Sequence, residues 1–188
     1  MGKSLRNLLL LGILAEGLIF LICYLVHPEI NEVFRHAARY SGRLSALVFI
    51  GSFYVFASSY PKVLRENPLL INLLTVFAVL HLIHFGFLAS NVYLNEIPLV
   101  PVKLTGGALA YLMIVVAPFV LHRLKLGFQL VYFYYVSIVM IITYLARIRG
   151  DFEGAEPFWF HYLAMGALIM GCIAFGTMIY RSTRRVTA

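Results

Sequence analysis

The chain has 188 residues, of which 62% are hydrophobic and 12% are charged, and its formal net charge is +7. An average soluble protein is about 45–50% apolar and about 25% charged. An ordinary soluble domain is therefore excluded, because the sequence cannot supply enough polar surface. We expect residues 1–188 to form a single integral membrane domain surrounded by a lipid bilayer.

The apolar residues are grouped in runs long enough to cross a bilayer, for which about 20 residues are needed. Prolines and charged residues separate these runs. The pattern predicts an all-α bundle of six transmembrane helices, near residues 8–26, 43–60, 69–92, 104–121, 126–146 and 159–180.

The basic residues predict the orientation of this bundle. One side carries Glu66 as its only acid, together with Lys3, Arg6, Lys62, Arg65, Arg123, Lys125, Arg181, Arg184 and Arg185. The other side carries a mixture of both signs: Arg35, Arg39, Arg43, Lys103, Arg147 and Arg149 with Glu29, Glu32, Glu96, Asp151, Glu153 and Glu156. By the positive-inside rule both termini are cytoplasmic, and we expect a bacterial inner membrane. Since these charges lie at helix ends and no nucleic-acid motif is present, no nucleic-acid partner is expected.

Two histidines lie in the middle of the third predicted helix. His81 and His84 are three residues apart and project from one face of the helix, about 60° apart around its axis. Polar side chains at this depth usually face the bundle interior and are often functional. Imidazole is a ligand for haem iron. The alternative is that both rings hydrogen-bond to a carbonyl or hydroxyl group of a neighbouring helix.

The other histidines lie at helix ends, and His161, at the start of the sixth helix, is the third candidate for cofactor binding. It could face His84, although the two predicted depths differ by several ångströms. His27, His36 and His161 could also converge with His84 on a metal ion. No pair has the local spacing of a metal motif, and no metal site is predicted.

Glu16 is the carboxylate placed deepest in the predicted membrane, in the first helix. It could relay protons, bind a partner helix or hydrogen-bond to a hydroxyl group of another helix. The fifth helix is rich in aromatic residues between Phe128 and Tyr135. These could line a quinone or tetrapyrrole pocket, but we favour packing as their role.

Four segments carry a resemblance to a known family: Ser41–Leu47, Phe77–Ile83, Leu104–Ala110 and Gln129–Tyr132. Over about 100 residues they resemble the ferric reductase-like transmembrane domain. That family includes the membrane part of NADPH oxidases and the haem-binding membrane subunit of the bacterial methionine sulfoxide reductase system.

The resemblance implies a haem held between histidines of helices 3 and 5. His81 matches the helix 3 ligand, but Phe128 and residues 141–143 stand where the family has histidines on helix 5. The chain therefore resembles a degenerate member, in which the double-histidine haem is not expected. Haem b bound through one histidine stays possible, and the cofactor is otherwise unknown.

Three functions follow as hypotheses. The first is a non-catalytic accessory or scaffold subunit of a membrane redox complex, with other membrane subunits as partners. The second is an electron carrier that binds one haem b or a quinone through His81 or His84. The third is a small transporter that uses Glu16. No catalytic residue is predicted, and we do not expect the chain to be an enzyme on its own.

Overall fold

The computed structural model describes residues 2–59, 67–99, 101–152 and 157–187, with only the backbone of residues 102, 103 and 182–187. Within these ranges the chain is all-α, and six of its helices are long and apolar enough to cross a membrane. They are α1 (Lys3–Val26), α2 (Ile30–Ser59), α3 (Pro68–Leu94), α4 (Pro101–Val120), α5 (Leu126–Arg149) and α6 (Trp159–Thr187). The prediction of an all-α chain with six such helices is confirmed, and it indicates an integral membrane protein.

The largest difference from the predicted boundaries is at α2, which begins at Ile30 rather than near residue 43. Arg35 and Arg39 consequently lie on the helix and not in a loop. The polar stretch remains helical because it contains neither proline nor glycine before Gly42 and because Val33 and Ala37 bury an apolar stripe. Smaller differences are found at the start of α1, the end of α6 and the end of α5. Helix α5 continues to Arg149 and ends at Gly150, whose φ of 73° suits a left-handed helix terminus.

Several residues used in the orientation argument lie outside the described part of the structure. These are Lys62, Arg65, Glu66, Glu153 and Glu156, together with the side chains of Lys103, Arg184 and Arg185. Helices α1, α3 and α5 finish at one end of the bundle, which we call the distal end, and both termini belong to the opposite end. The assignment of the termini to the cytoplasm stays a prediction.

Helix α2 is the centre of the bundle, with α1, α3 and α6 packed around it. Helix α2 forms an antiparallel hairpin with α3. Polar pairs join the two helices near both ends and in the middle, and they show that one register is kept along the whole hairpin. These pairs are Ser59–Asn67 at 2.8 Å, Ser45–His81 at 3.1 Å and Asn31–Asn95 at 3.3 Å. The hairpin therefore fixes which residue of α3 faces each residue of α2.

Aromatic rings fill the interior between α2, α3 and α5. The Phe49 ring lies 5.2 Å from the Phe77 ring of α3 and 6.2 Å from the Phe133 ring of α5, measured between centroids. Phe133 also stacks on Phe56 at 4.2 Å, and Phe175 of α6 meets Phe56 edge to face at 5.3 Å. All five side chains are at most 4% exposed. Phe133 therefore serves to pack the bundle interior, the role that we favoured for the aromatic residues of this helix.

Candidate functional site

His81 lies at the contact of three helices. Its Nδ1 is 3.1 Å from the Ser45 hydroxyl of α2, and its ring stacks on Tyr111 of α4 at 4.4 Å between centroids. The Ser45 hydroxyl in turn donates to the Gly42 carbonyl at 3.2 Å. Since that hydroxyl has one proton, this arrangement fits a His81 ring that donates from Nδ1 to Ser45. The Nε2 lone pair is then available as an acceptor or a ligand.

His84 occupies a notch in α2 that exists because residue 42 is glycine. A Cβ added at Gly42 would lie 2.9 Å from His84 Cε1 and 3.4 Å from both ring nitrogens. The buried Nδ1 of His84 has no hydrogen-bond partner among the described residues. The His84 ring is therefore held against the backbone of α2 by close packing at Gly42.

Glu16 of α1 contacts the same stretch of α2. The Ser41 hydroxyl donates to Glu16 Oε1 at 2.8 Å, and the Glu16 side chain is almost fully buried. Its Oε2 has no partner in the described part of the chain. Of the roles considered for this carboxyl group, the structure shows the hydrogen bond to a hydroxyl group of another helix.

Residues 41–45 of α2 thus connect the predicted candidates of α1 and α3. We call this arrangement the polar layer; it consists of Glu16, Ser41, Gly42, Ser45, His81, His84 and Tyr111. The His81 and His84 rings lie 5.4 Å apart within it. The polar layer joins four helices, α1 to α4, at one depth of the bundle.

His161 is not part of the polar layer. It is buried on α6, where its ring stacks on Tyr144 of α5 at 5.7 Å and meets Phe158 at 6.2 Å. Among the described residues no ring contact or hydrogen bond joins it to His84.

The remaining histidines do not assemble a metal site in the described structure. His27 and His36 stack at 4.0 Å between centroids, and Glu32 Oε2 lies 3.8 Å from His36 Nε2. Within the described ranges, however, no group of three or more His, Cys, Asp or Glu side chains is arranged to hold a metal ion. The convergence of His27, His36, His84 and His161 on one ion is therefore not found there.

The resemblance assigns two haem-ligand positions to α5, and the first of them, Phe128, faces outward. Phe128 is 61% exposed, whereas the inner face of α5 carries Gln129, Phe133 and Ser137. None of these can replace an imidazole as an iron ligand, and Phe133 belongs to the packed ring cluster. The residues between α3 and α5 therefore do not fit a haem of the family type.

Two groups of residues were not identified from the sequence. Ser41 and Ser45 are four residues apart on one face of α2, a spacing that could have indicated a polar seam in a membrane helix. Arg43 and Arg147 were both assigned to helix ends. Arg147 lies in the last turn of α5, whereas Arg43 lies within α2 and packs against Phe158, just before α6, and Phe160 of α6. No sequence spacing connects these two arginines.

Comparisons of the chain with protein-family models, with curated proteins and with solved structures give no match.

Replacing Ser41 by alanine is expected to destabilise the protein by about 1–3 kcal/mol, because a buried carboxyl group would lose its described partner. The measurement is the free energy of unfolding in mixed micelles. Ser58→Ala is the matched control, since Ser58 lies on the same helix, is exposed and bonds only to its own helix.

The Glu16→Gln chain should stay within about 1 kcal/mol of the original, because the amide oxygen can still accept from Ser41. Equal losses in Ser41→Ala and Ser58→Ala would contradict a structural role for the Glu16–Ser41 hydrogen bond.

Proposed function

We propose that the chain is a haem-free, ferric reductase-like accessory subunit that supports a membrane redox complex. The observation that carries this proposal is the contact of Phe49 with both Phe77 and Phe133, which fills the space between α3 and α5 with aromatic rings. A close-packed interior leaves no room for a macrocycle without large rearrangement. The polar layer supports the same proposal, since His84 and Glu16 bind neighbouring helices.

The complex, in this proposal, is formed with other membrane subunits. The described helices carry little polar structure beyond the bilayer, so a partner would contact them mainly within the membrane. Small residues let helices approach closely there, and α3 carries Gly86, next to which an added Cβ would meet nothing within 4 Å. This chain would then contribute stability to its partners rather than chemistry.

The test is a reduced-minus-oxidised visible spectrum of the protein solubilised gently from its native membrane, with mass spectrometry of the copurifying chains. We expect no haem signal stoichiometric with this chain, and larger membrane subunits in a fixed ratio to it. Deleting the gene should lower the amount of those subunits. A haem b signal in a one-to-one ratio, lost in His81→Ala but kept in His27→Ala, would overturn the proposal.

A second candidate function is supported by the surroundings of His81. A histidine that binds a metal usually donates its other ring N–H to an oxygen, which orients the ring. The Ser45 contact at 3.1 Å is of this kind. If the spectrum shows haem b, the electron-carrier function takes precedence, with His81 as the ligand and Ser45 as its positioning residue. Ser45→Ala should then shift the haem spectrum without removing it.

A further inference from the structure

Positively charged side chains from two helices converge on His161 near the distal end. The Arg43 guanidinium of α2 packs on the Phe158 ring, and that ring also meets His161 of α6. His161 stacks on Tyr144 of α5, and Arg147 is three residues beyond Tyr144, on the same face of that helix. We call Arg43, Arg147, Tyr144 and His161 the cationic cluster. Arg39 adds its charge to the same region.

The Arg43 guanidinium packs against rings. Its Cζ lies 4.1 Å from the centroid of Phe158 and 5.1 Å from that of Tyr40. These faces attract a cation, by about 0.5–2 kcal/mol. They do not accept its hydrogen bonds along the guanidinium plane, and the buried Nε has no partner among the described residues. His161 Nδ1, on a side chain that is 5% exposed, is also buried without a described partner.

Two carboxylates at this end of the described structure pair with other arginines. Glu32 pairs with Arg35, and Asp151 lies 3.8 Å from Arg149. Within the described ranges neither Arg43 nor Arg147 has a carboxylate within salt-bridge distance. Like charges repel strongly where water is scarce, so an anion placed among them would be stabilised by both arginines at once.

The depth of Arg147 along α5 corresponds to a bilayer surface. Arg147 is 21 residues beyond Leu126, the start of α5, which at a rise of about 1.5 Å per residue is about 31 Å. The hydrocarbon core of a bilayer is about 30 Å thick. With α5 crossing the bilayer, Arg147 therefore reaches the headgroups of the distal leaflet. Basic pockets between transmembrane helices are a known type of binding site for anionic lipid headgroups.

We propose that the cationic cluster binds a phosphate group, supplied by the headgroup of an anionic phospholipid. Guanidinium groups match the geometry of phosphate oxygens and bond to them in pairs. Arg43 and Arg147 hold the phosphate from two helices, and Tyr144 and His161 supply further donors beside it. The site connects α2, α5 and α6, and it is independent of the accessory role proposed above.

The first experiment is native mass spectrometry of the full chain after exchange into equimolar phosphatidylglycerol and phosphatidylcholine at fixed ionic strength. We expect phosphatidylglycerol to be retained at least about tenfold over phosphatidylcholine. Arg147→Gln should lower this ratio of phosphatidylglycerol to phosphatidylcholine about tenfold. Arg149→Gln is the matched control, since Arg149 is two residues away, exposed and equal in charge.

A second arm distinguishes a lipid from a soluble ligand. The chain is placed in nanodiscs of phosphatidylcholine alone and titrated with inorganic phosphate while its melting temperature is measured. One possible outcome is that phosphate stabilises the chain, that Arg147→Gln abolishes this effect, and that no lipid preference is seen. This would support the phosphate site but assign it to a free anion. Neither lipid preference nor stabilisation by phosphate would overturn the proposal. If Arg147→Gln folds poorly, two other variants replace it: Arg43→Gln, and Arg147→Lys, which conserves the charge. Lipid preference and stabilisation by phosphate are measured for both.

Discussion

Phe133→Ala is expected to lower the free energy of unfolding by about 2–4 kcal/mol. Truncating a buried phenyl ring leaves a cavity whose cost grows with its volume. Phe133 is fully buried and contacts rings of α2 at positions 49, 53 and 56. The transfer part of the usual cost is reduced here, because the separated helices remain in lipid, so the loss arises chiefly from packing.

Phe128→Ala is the matched control on the same helix. Phe128 is 61% exposed, and its truncation should change stability by less than about 0.5 kcal/mol. Both chains are unfolded with a denaturing detergent and followed by tryptophan fluorescence, since Trp159 is the single tryptophan. If the two variants lost the same stability, Phe133 would not be part of a specific packed core, and the main support for a haem-free interior would fail.

The second large effect is expected for Gly42→Ala, which should cost about 1–3 kcal/mol. The new methyl group would stand 2.9 Å from His84 Cε1, closer than van der Waals contact allows. His84 would have to leave its notch against α2. The α2–α3 hairpin would lose contact at the polar layer, and the change is measured as the free energy of unfolding.

Gly51→Ala is the control for this substitution. Gly51 lies on the same helix, and an added Cβ there meets nothing within 4 Å. Alanine should be neutral or slightly stabilising at that position, because glycine disfavours the helix by about 0.5–1 kcal/mol. Any loss in Gly42→Ala beyond this control is due to His84.

A double-mutant cycle of Gly42→Ala with His84→Ala identifies the partner. Once the ring is removed, the alanine methyl group has space, and the second substitution should cost at least about 1 kcal/mol less than it does alone. Strict additivity of the two changes would show that His84 does not depend on the Gly42 notch. The interpretation of His84 as an interhelical contact would then be wrong, and a ligand role would become the better hypothesis.

Much of the fold was predictable because hydropathy is a local property. The six helices appear as apolar runs interrupted by proline and charge, and five of them begin within about five residues of the predicted position. Helix α2 is the exception. Its first turns are polar in composition, and they are helical because Val33 and Ala37 are buried among neighbouring helices. A window that measures mean hydropathy does not detect such a narrow apolar stripe.

The candidate site was predictable only as a set of residue types. Glu16, His81 and His84 stand out in sequence because polar groups are rare at membrane depth. Their partners do not stand out, because Ser41 and Ser45 are common residue types in any helix.

The contacts themselves depend on how each helix is rotated about its axis and on the register between helices. Ser45 lies 36 positions from His81, and the register of the α2–α3 hairpin brings them to 3.1 Å. Arg43 and Arg147 are on helices that are not consecutive, and they come near His161 because α2, α5 and α6 pack together around the phenyl rings. Local pattern thus determined the number of helices and their environment. Long-range packing determined which buried polar groups meet, since the apolar sequence between them is compatible with many rotations and registers.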